Sequence, residues 1–306
     1  MLPYKKQLEY KQQEAIQHLR RIGKVELPPV EPIIGCKDPI HYRNKLEFTF
    51  SNKRYLLPSE INSNKIIAAE SALGFHVPRL FDKVIDIYTC HLMPEPVNQI
   101  KNTLRDYARQ QQYSFYDIKG HTGWLRTLII RQTTTGEVMV NICFGYDDAA
   151  ARKQLLDHLL QTVPGITTLL YTINPKKNDT IYDLHPQTYF GKGYITEQLH
   201  TGNETNGRPE ALLFKIGPKS FFQTNTRQAE QLYRVTREFA ALTGNETVYD
   251  LYCGTGSIGL FVSAGAKKVI GVETVAEAVE DAKENAKLNN IHHAHFYSGD
   301  VIDICN

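Results

Sequence analysis

The segment Val248-Tyr-Asp-Leu-Tyr-Cys-Gly-Thr-Gly-Ser-Ile-Gly259 constrains this chain more than any other. A short β-rich apolar run leads into a glycine loop, and the loop leads into the start of a helix. Gly254 and Gly256 let backbone come close to a ligand, and the first N–H groups of the following helix are free to donate to it. The spacing Gly254-x-Gly256-x-x-Gly259 matches the dinucleotide fingerprint, but three glycines alone are weak evidence. Asp250, at the strand end four residues before Gly254, puts a carboxylate where the cationic amino-acid end of S-adenosylmethionine would be held and a pyrophosphate repelled. Glu273 closes the next strand, Lys268-Val-Ile-Gly-Val-Glu273, where an acid accepts both hydroxyls of an adenosine ribose in either cofactor class. The residues favour the methyl donor over NAD, with NAD and a ligand-free glycine turn left as alternatives.

At 306 residues, 42% hydrophobic and 22% charged, the chain has room for two domains. No apolar run reaches the ~18 residues needed to span a bilayer. The start, Met1-Leu-Pro-Tyr-Lys-Lys6, lacks the apolar core of a signal peptide, so a cytoplasmic location is expected. The five cysteines (Cys36, Cys90, Cys143, Cys253 and Cys305) are scattered without a C-x-x-C pair, and the eleven histidines have no ligand spacing. Neither a disulfide framework nor a metal site is expected. Net charge is only +2, but residues 1–60 hold eleven Lys and Arg against seven Asp and Glu, while residues 201–306 hold ten against thirteen. The basic front would attract phosphates, although solvated helix faces produce the same imbalance.

Three regions follow from periodicity. Residues 1–40 are an amphipathic helix from Tyr4 to about Gly23, ended by the proline-rich connector Glu26-Leu-Pro-Pro-Val-Glu-Pro32. Residues 41–208 form a mixed α/β domain. Its strands are expected at 45–50, 74–77, 125–132, 138–144 and 168–173, its helices at 97–111 and 147–162, and a polar break with a hairpin tip at Asn206-Gly207 closes it. From 209 the order becomes helix 226–242, strand to Asp250, helix 257–264, strand to Glu273, helix 275–289 and strand to Asp300. This is the first half of a doubly wound parallel sheet, which binds ligands at the carboxyl ends of its strands. The three strands should be adjacent and parallel in chain order. With only three, part of their apolar face would be left uncovered.

The pair Gly217-Pro-Lys-Ser-Phe-Phe-Gln-Thr-Asn225 and Asp250-Leu-Tyr-Cys-Gly-Thr-Gly256 resembles the RNA (uracil-5-)-methyltransferase family, in particular its 23S rRNA branch. Leu2-Pro-Tyr-Lys-Lys-Gln7, His41-Tyr-Arg-Asn-Lys45, Leu125-Arg-Thr-Leu-Ile-Ile-Arg131 and Asn178-Asp-Thr180 resemble it too, so the likeness covers nearly the whole chain. The resemblance implies a Rossmann-like methyltransferase sheet and S-adenosyl-L-methionine as cofactor. It implies an RNA substrate, ribosomal ahead of transfer RNA. It also implies that the family's N-terminal barrel, its nucleophilic cysteine and its glutamate base lie outside Met1–Asn306. The chain is therefore expected to be a fragment, and one that transfers no methyl group by itself. A non-catalytic RNA-binding remnant is the alternative.

In the chemistry the resemblance implies, a thiolate adds to uracil C6 so that C5 can attack the sulfonium methyl, and a base then removes the C5 proton. Phe221 would stack on the extruded base, and Gln223 would lie between base and cofactor. Asp250, Tyr252, Gly254, Gly256, Ser257, Glu273 and Asp300 would line the cofactor, although an aspartate at a strand end is also a common helix cap. Arg43 and Lys45, Arg126 and Arg131 beside an apolar strand, and Lys219 within the motif are the candidate RNA contacts. Cys253 lies in the loop with nothing basic beside it, which marks it as packing.

Overall fold

The computed structural model describes residues 2–61, 71–202 and 210–305. The chain opens with α1 (Tyr4–Gln17), a π-helical turn (His18–Ile22) and an extended connector. A seven-stranded sheet follows, built from β1 (Lys45–Ser51), β2 (Ala72–Val77), β3 (Leu80–Asp86), β4 (Leu125–Gln132), β5 (Val138–Phe144), β6 (Thr168–Ile173) and β7 (Gln187–Phe190), in the order β3-β2-β1-β4-β5-β6-β7. In chain order the short α2 (Pro58–Ile61) falls between β1 and β2, α3 (Val97–Gln110) between β3 and β4, and α4 (Ala149–Thr162) between β5 and β6. All pairings are antiparallel except β5 with β6.

Burial follows from position in the sheet. Every residue of the interior strand β5 is buried, as its apolar run Val-Met-Val-Asn-Ile-Cys-Phe requires, whereas β1 alternates. One face takes Phe48 and Phe50 of β1 against Ile100 and Leu104 of α3 and Leu155 and Leu159 of α4. On the other face Met139 and Leu170 share a core with Phe214, Phe222 and Leu260, residues of the C-terminal region. The two regions are therefore joined by packing as well as by chain.

The expected boundary at 208 falls inside a hairpin: β8 (Ile195–His200) pairs antiparallel with β9 (Ala211–Ile216), while the expected tip at Asn206-Gly207 lies outside the described residues. Next come α5 (Thr226–Ala240), β10 (Thr247–Leu251), α6 (Ser257–Val262), β11 (Lys268–Glu273), α7 (Ala276–Leu288), β12 (Ala294–Ser298) and α8 (Val301–Cys305). The strands β10-β11-β12 are adjacent and parallel in chain order, as expected, and form a Rossmann-like methyltransferase sheet. Tyr249, Leu251 and Tyr297 of this sheet are exposed.

Gly271 of β11 marks a close approach. A Cβ built there would stand 2.3 Å from Cδ1 of Phe296 and 3.0 Å from Sγ of Cys253. Gly271→Ala is expected to cost about 1–3 kcal/mol through overpacking, read as a fall in the urea midpoint; an unshifted midpoint would show that the ring moves aside freely.

Candidate cofactor and base site

The glycine loop leaves the carboxyl end of β10 with a run of left-handed residues. Gly254 (φ 55°) and Gly256 (φ 77°) adopt that conformation without a Cβ penalty, while Tyr252 (φ 62°) adopts it against its own sterics, with its ring 73% exposed. The two sides of the loop differ. A Cβ at Gly256 would come within 2.9 Å of the Phe296 ring, whereas one at Gly254 would meet nothing within 4 Å. The loop is packed behind Gly256 and open in front of Gly254.

Two carboxylates brace it. Asp250 Oδ2 accepts the N–H of Gly259 at 2.8 Å, tying the strand end to α6. Glu273 Oε2 accepts the N–H of Gly254 at 3.1 Å, and its Oε1 accepts from Val275 N–H at 2.9 Å and the Thr274 hydroxyl at 3.1 Å. The strand register explains the meeting, since Asp250 lies opposite Gly271 and Glu273 opposite Ser298, so all three strand ends open on one edge. Burial pushes the Asp250 carboxyl up from the ordinary aspartate value, only partly opposed by the Gly259 N–H. For Glu273 burial also pulls upward, but the donors from Val275, Gly254 and Thr274 prevail and hold it below the usual glutamate value. Ser257 shares a 2.9 Å hydrogen bond with the Tyr233 hydroxyl. Asp300 is exposed and accepts the N–H of Ile302 at 2.8 Å, the geometry of a cap on α8.

The segment 217–225 lies against this loop. Its carbonyl at Phe221 faces the Thr255 hydroxyl at 3.4 Å. The Phe221 ring is 66% exposed, while Phe222 is 3% exposed and packs on Phe214 with ring centroids 5.8 Å apart. Alternation thus sends one aromatic into the core and leaves the other beside the loop. Asn225 caps α5, accepting from Gln228 N–H at 3.1 Å. The first domain clamps the segment: Asn44 Nδ2 donates to the Gln223 carbonyl and to Thr226 Oγ1, each at 2.8 Å, its N–H donates to Thr224 O at 2.8 Å, and Arg131 donates to Ser220 O. From the other side, Ser220 Oγ donates to Asp281 Oδ2 at 2.6 Å. Buried Glu197 gathers the N–H and hydroxyl of Thr134 and the hydroxyl of Thr226. Glu197 and Asp281 carried no signal in the sequence, and Asn44 and Thr255, though inside recognised motifs, carried no sign of these contacts, which only the fold creates.

Two of the expected RNA contacts, Arg126 and Arg131, are corrected by burial. Arg126, 2% exposed, stacks on Tyr116 at 4.1 Å and donates to the carbonyls of Asn174, Lys176 and Asn178 and to Asp179 Oδ1. Arg131, 3% exposed, is spent on Ser220. Both lie on β4, the middle strand of seven, and not on an edge from which a phosphate could be reached. Lys219 pairs with Glu277 at 2.6 Å and donates to the carbonyls of Tyr182 and Leu184. Lys45 pairs with half-exposed Glu47 at 2.5 Å, and Arg43 stands beside a cleft of about 640 Å³ that Asn44, Asn225 and Arg227 also line.

Cys253 is buried beneath the loop, and burial pushes its thiol up to about 12, with Asp250 and Glu273 adding to the rise. A thiolate is therefore scarce at neutral pH. An alkylating reagent at about pH 8 is expected to modify half-buried Cys36 well before Cys253, checked by peptide mass mapping of the native chain; equal rates would reverse the reading of Cys253 as packing. Among the described residues no group of His, Cys, Asp and Glu could hold a metal ion, and no helix is long and apolar enough to cross a membrane.

Comparison with known proteins bears on this geometry. Residues 242–306 match the family profile described as Methyltransferase domain. An uncharacterized RNA methyltransferase of Porphyromonas gingivalis is 49% identical over 99% of this chain and 64% of its own length; one from Bacteroides thetaiotaomicron is 49% identical over 99% and 65%. The chain is thus a relative of RNA methyltransferases. It spans less than two thirds of the length of these two proteins. Their similarity extends over nearly all of its residues and gives no support to the expectation of a fragment lacking its catalytic half, nor to the inactivity inferred from it. In structure the chain is similar to the tRNA (uracil-54, C5)-methyltransferase of Pyrococcus abyssi, solved with S-adenosyl-L-homocysteine, at a TM-score of 0.69 and 23% identity over 97% of this chain and 63% of that one. That likeness establishes the fold.

Proposed function

We propose that this chain binds S-adenosyl-L-methionine and positions the base for methylation at C5 of uracil in RNA, with ribosomal RNA as the substrate ahead of transfer RNA. One observation carries the reading: the exposed Phe221 ring lies on a segment seated against a glycine loop whose front is open at Gly254 and braced by Glu273. An aromatic face beside an open cofactor loop suits a base brought out of its stack. Glu273 would receive the ribose hydroxyls, Tyr252 would offer a flat apolar face, and Asp250 would lend negative charge near the amino-acid end. The cofactor supplies a methyl group on a sulfonium; the residues of this chain orient both reactants and leave Gln223 to meet polar edges between them. Buried Cys90, Cys143 and Cys253 are poor candidates for the attacking thiolate, since burial pushes the Cys143 thiol, like that of Cys253, up to about 12.

The test supplies tritiated methyl donor with unmodified ribosomal and transfer RNA and analyses the nucleosides. Label in 5-methyluridine from ribosomal RNA is the expected result; label in another base, or tighter binding of NAD than of S-adenosylhomocysteine, would reject the reading. Phe221→Ala should weaken binding of a uridine-rich single strand by about 1–3 kcal/mol, the usual value of one base stacked on an aromatic ring, with cofactor affinity held. Unaltered RNA affinity would return Phe221 to the status of a surface residue.

A further inference from the structure

Helix α1 and its π-helical turn bury none of their residues. They stand on the connector. Gln12 Nε2 donates to Glu31 O at 3.0 Å, its Oε1 accepts from Ile33 N–H at 3.2 Å, and the Tyr4 hydroxyl accepts from Cys36 N–H at 2.6 Å. Leu8 fits so closely over Gly35 that a Cβ there would stand 2.8 Å from its Cδ1. The foot of this arm is fixed to the motif segment, where Arg227 pairs with Asp38 at 2.5 Å and Asn225 Nδ2 faces Cys36 Sγ at 3.7 Å. Cys36 and Asp38 also line the 640 Å³ cleft that holds Arg43 and His41.

The arm is strongly basic. Between residues 4 and 24 stand Lys5, Lys6, Lys11, Arg20, Arg21 and Lys24 against Glu9 and Glu14. Lys6 pairs with Glu9, but Lys5, Lys11, Arg20, Arg21 and Lys24 are exposed and have no carboxylate within ion-pair distance among the described residues. A helix serving only as packing would bury one face, whereas this one buries no residue and turns Tyr4 and Leu8 to the connector. What it presents outward is cationic, with the exposed ring of Tyr10 among the charges. Such a surface complements a polyanion. A membrane surface is disfavoured because the exposed aliphatic residues of the helix, Leu19 and Ile22, sit together near its end and form no continuous apolar face.

We propose that α1 and the cleft at its foot are the track along which RNA flanking the target nucleotide lies. The inference rests on the reading of the neighbouring site as one for RNA. It is tested by replacing Lys5, Lys11, Arg20, Arg21 and Lys24 together with glutamine and following the anisotropy of a fluorescein-labelled single-stranded RNA over a range of potassium chloride concentrations. Because none of these side chains is buried, the thermal midpoint should stay where it is. Each phosphate contact contributes about 0.7 to the slope of log affinity against log salt for single strands, so with about three or four of the five side chains on phosphates the slope should fall by about 2–3 and the affinity at about 0.1 M salt by at least tenfold. An unchanged slope with wild-type RNA binding intact would overturn the track and leave the site reading standing. No RNA binding by the wild type would overturn both. Loss of binding to vesicles of anionic phospholipid, with the RNA slope unmoved, would assign the arm to a membrane surface instead.

Discussion

Replacing Arg126 with methionine is expected to destabilise the chain by about 3 kcal/mol, the range for leaving buried acceptors without their charged donor. The guanidinium satisfies three carbonyls and one carboxylate oxygen of the stretch 174–179 from inside the sheet. Methionine fills much of the same volume but donates nothing, so these acceptors must find water or stay unpaired. The Asp179 side chain is half exposed and can turn to solvent, which keeps the cost below that of a fully enclosed pair. Arg126→Lys should rescue little, since an ammonium lacks the planar fork that reaches several acceptors at once. Urea unfolding measures the effect, and a midpoint within error of the wild type would mean that water substitutes for the guanidinium without loss.

Glu273→Ala should weaken S-adenosylhomocysteine binding by about 1–3 kcal/mol, roughly a 5- to 150-fold loss of affinity by calorimetry. Two effects combine. The variant removes the acceptor for ribose hydroxyls, and it frees the Gly254 N–H that the carboxylate now holds at 3.1 Å. Glu273→Gln keeps an acceptor oxygen and should lose less. The pH dependence follows from the direction of the shift: because the folded carboxyl lies below the ordinary glutamate value of 4.5, its bracing of the loop is complete above that value and is lost only as pH falls through the lower folded one. Binding that weakens already between pH 7 and about 5.5 would contradict this assignment of the carboxylate. So would an affinity untouched by Glu273→Ala.

Much of the catalytic region was legible because its signals are local. Gly254 and Gly256 are needed where the backbone turns left-handed, and Asp250 and Glu273 end strands whose apolar runs announce themselves. The strands at 125–132, 138–144 and 168–173 formed with the bounds expected, since uninterrupted apolar runs of that length have few other ways to be buried. β3, β7, β8 and β9 went unread. Leu80-Phe-Asp-Lys-Val-Ile-Asp carries charges on a strand at the sheet edge, β7 has only four residues, and β8 and β9, though as long as β6, have their apolar runs interrupted by Thr196, Glu197, Gln198 and Lys215.

The sequence by itself determined the kind of cofactor loop and the pairing of Phe221 with Phe222 along one extended segment. It could not determine which way a long cation points. An arginine beside an apolar strand reads the same whether its guanidinium meets water or buried carbonyls, and the sheet order decided that Arg126 and Arg131 face inward. Nor could it connect Asn44 with Gln223, whose 2.8 Å hydrogen bond spans 179 residues of chain. Local propensity acts over a few residues, whereas such a contact exists only after the first domain and the methyltransferase sheet have packed around a common core, and that packing settled how the segment 217–225 is held.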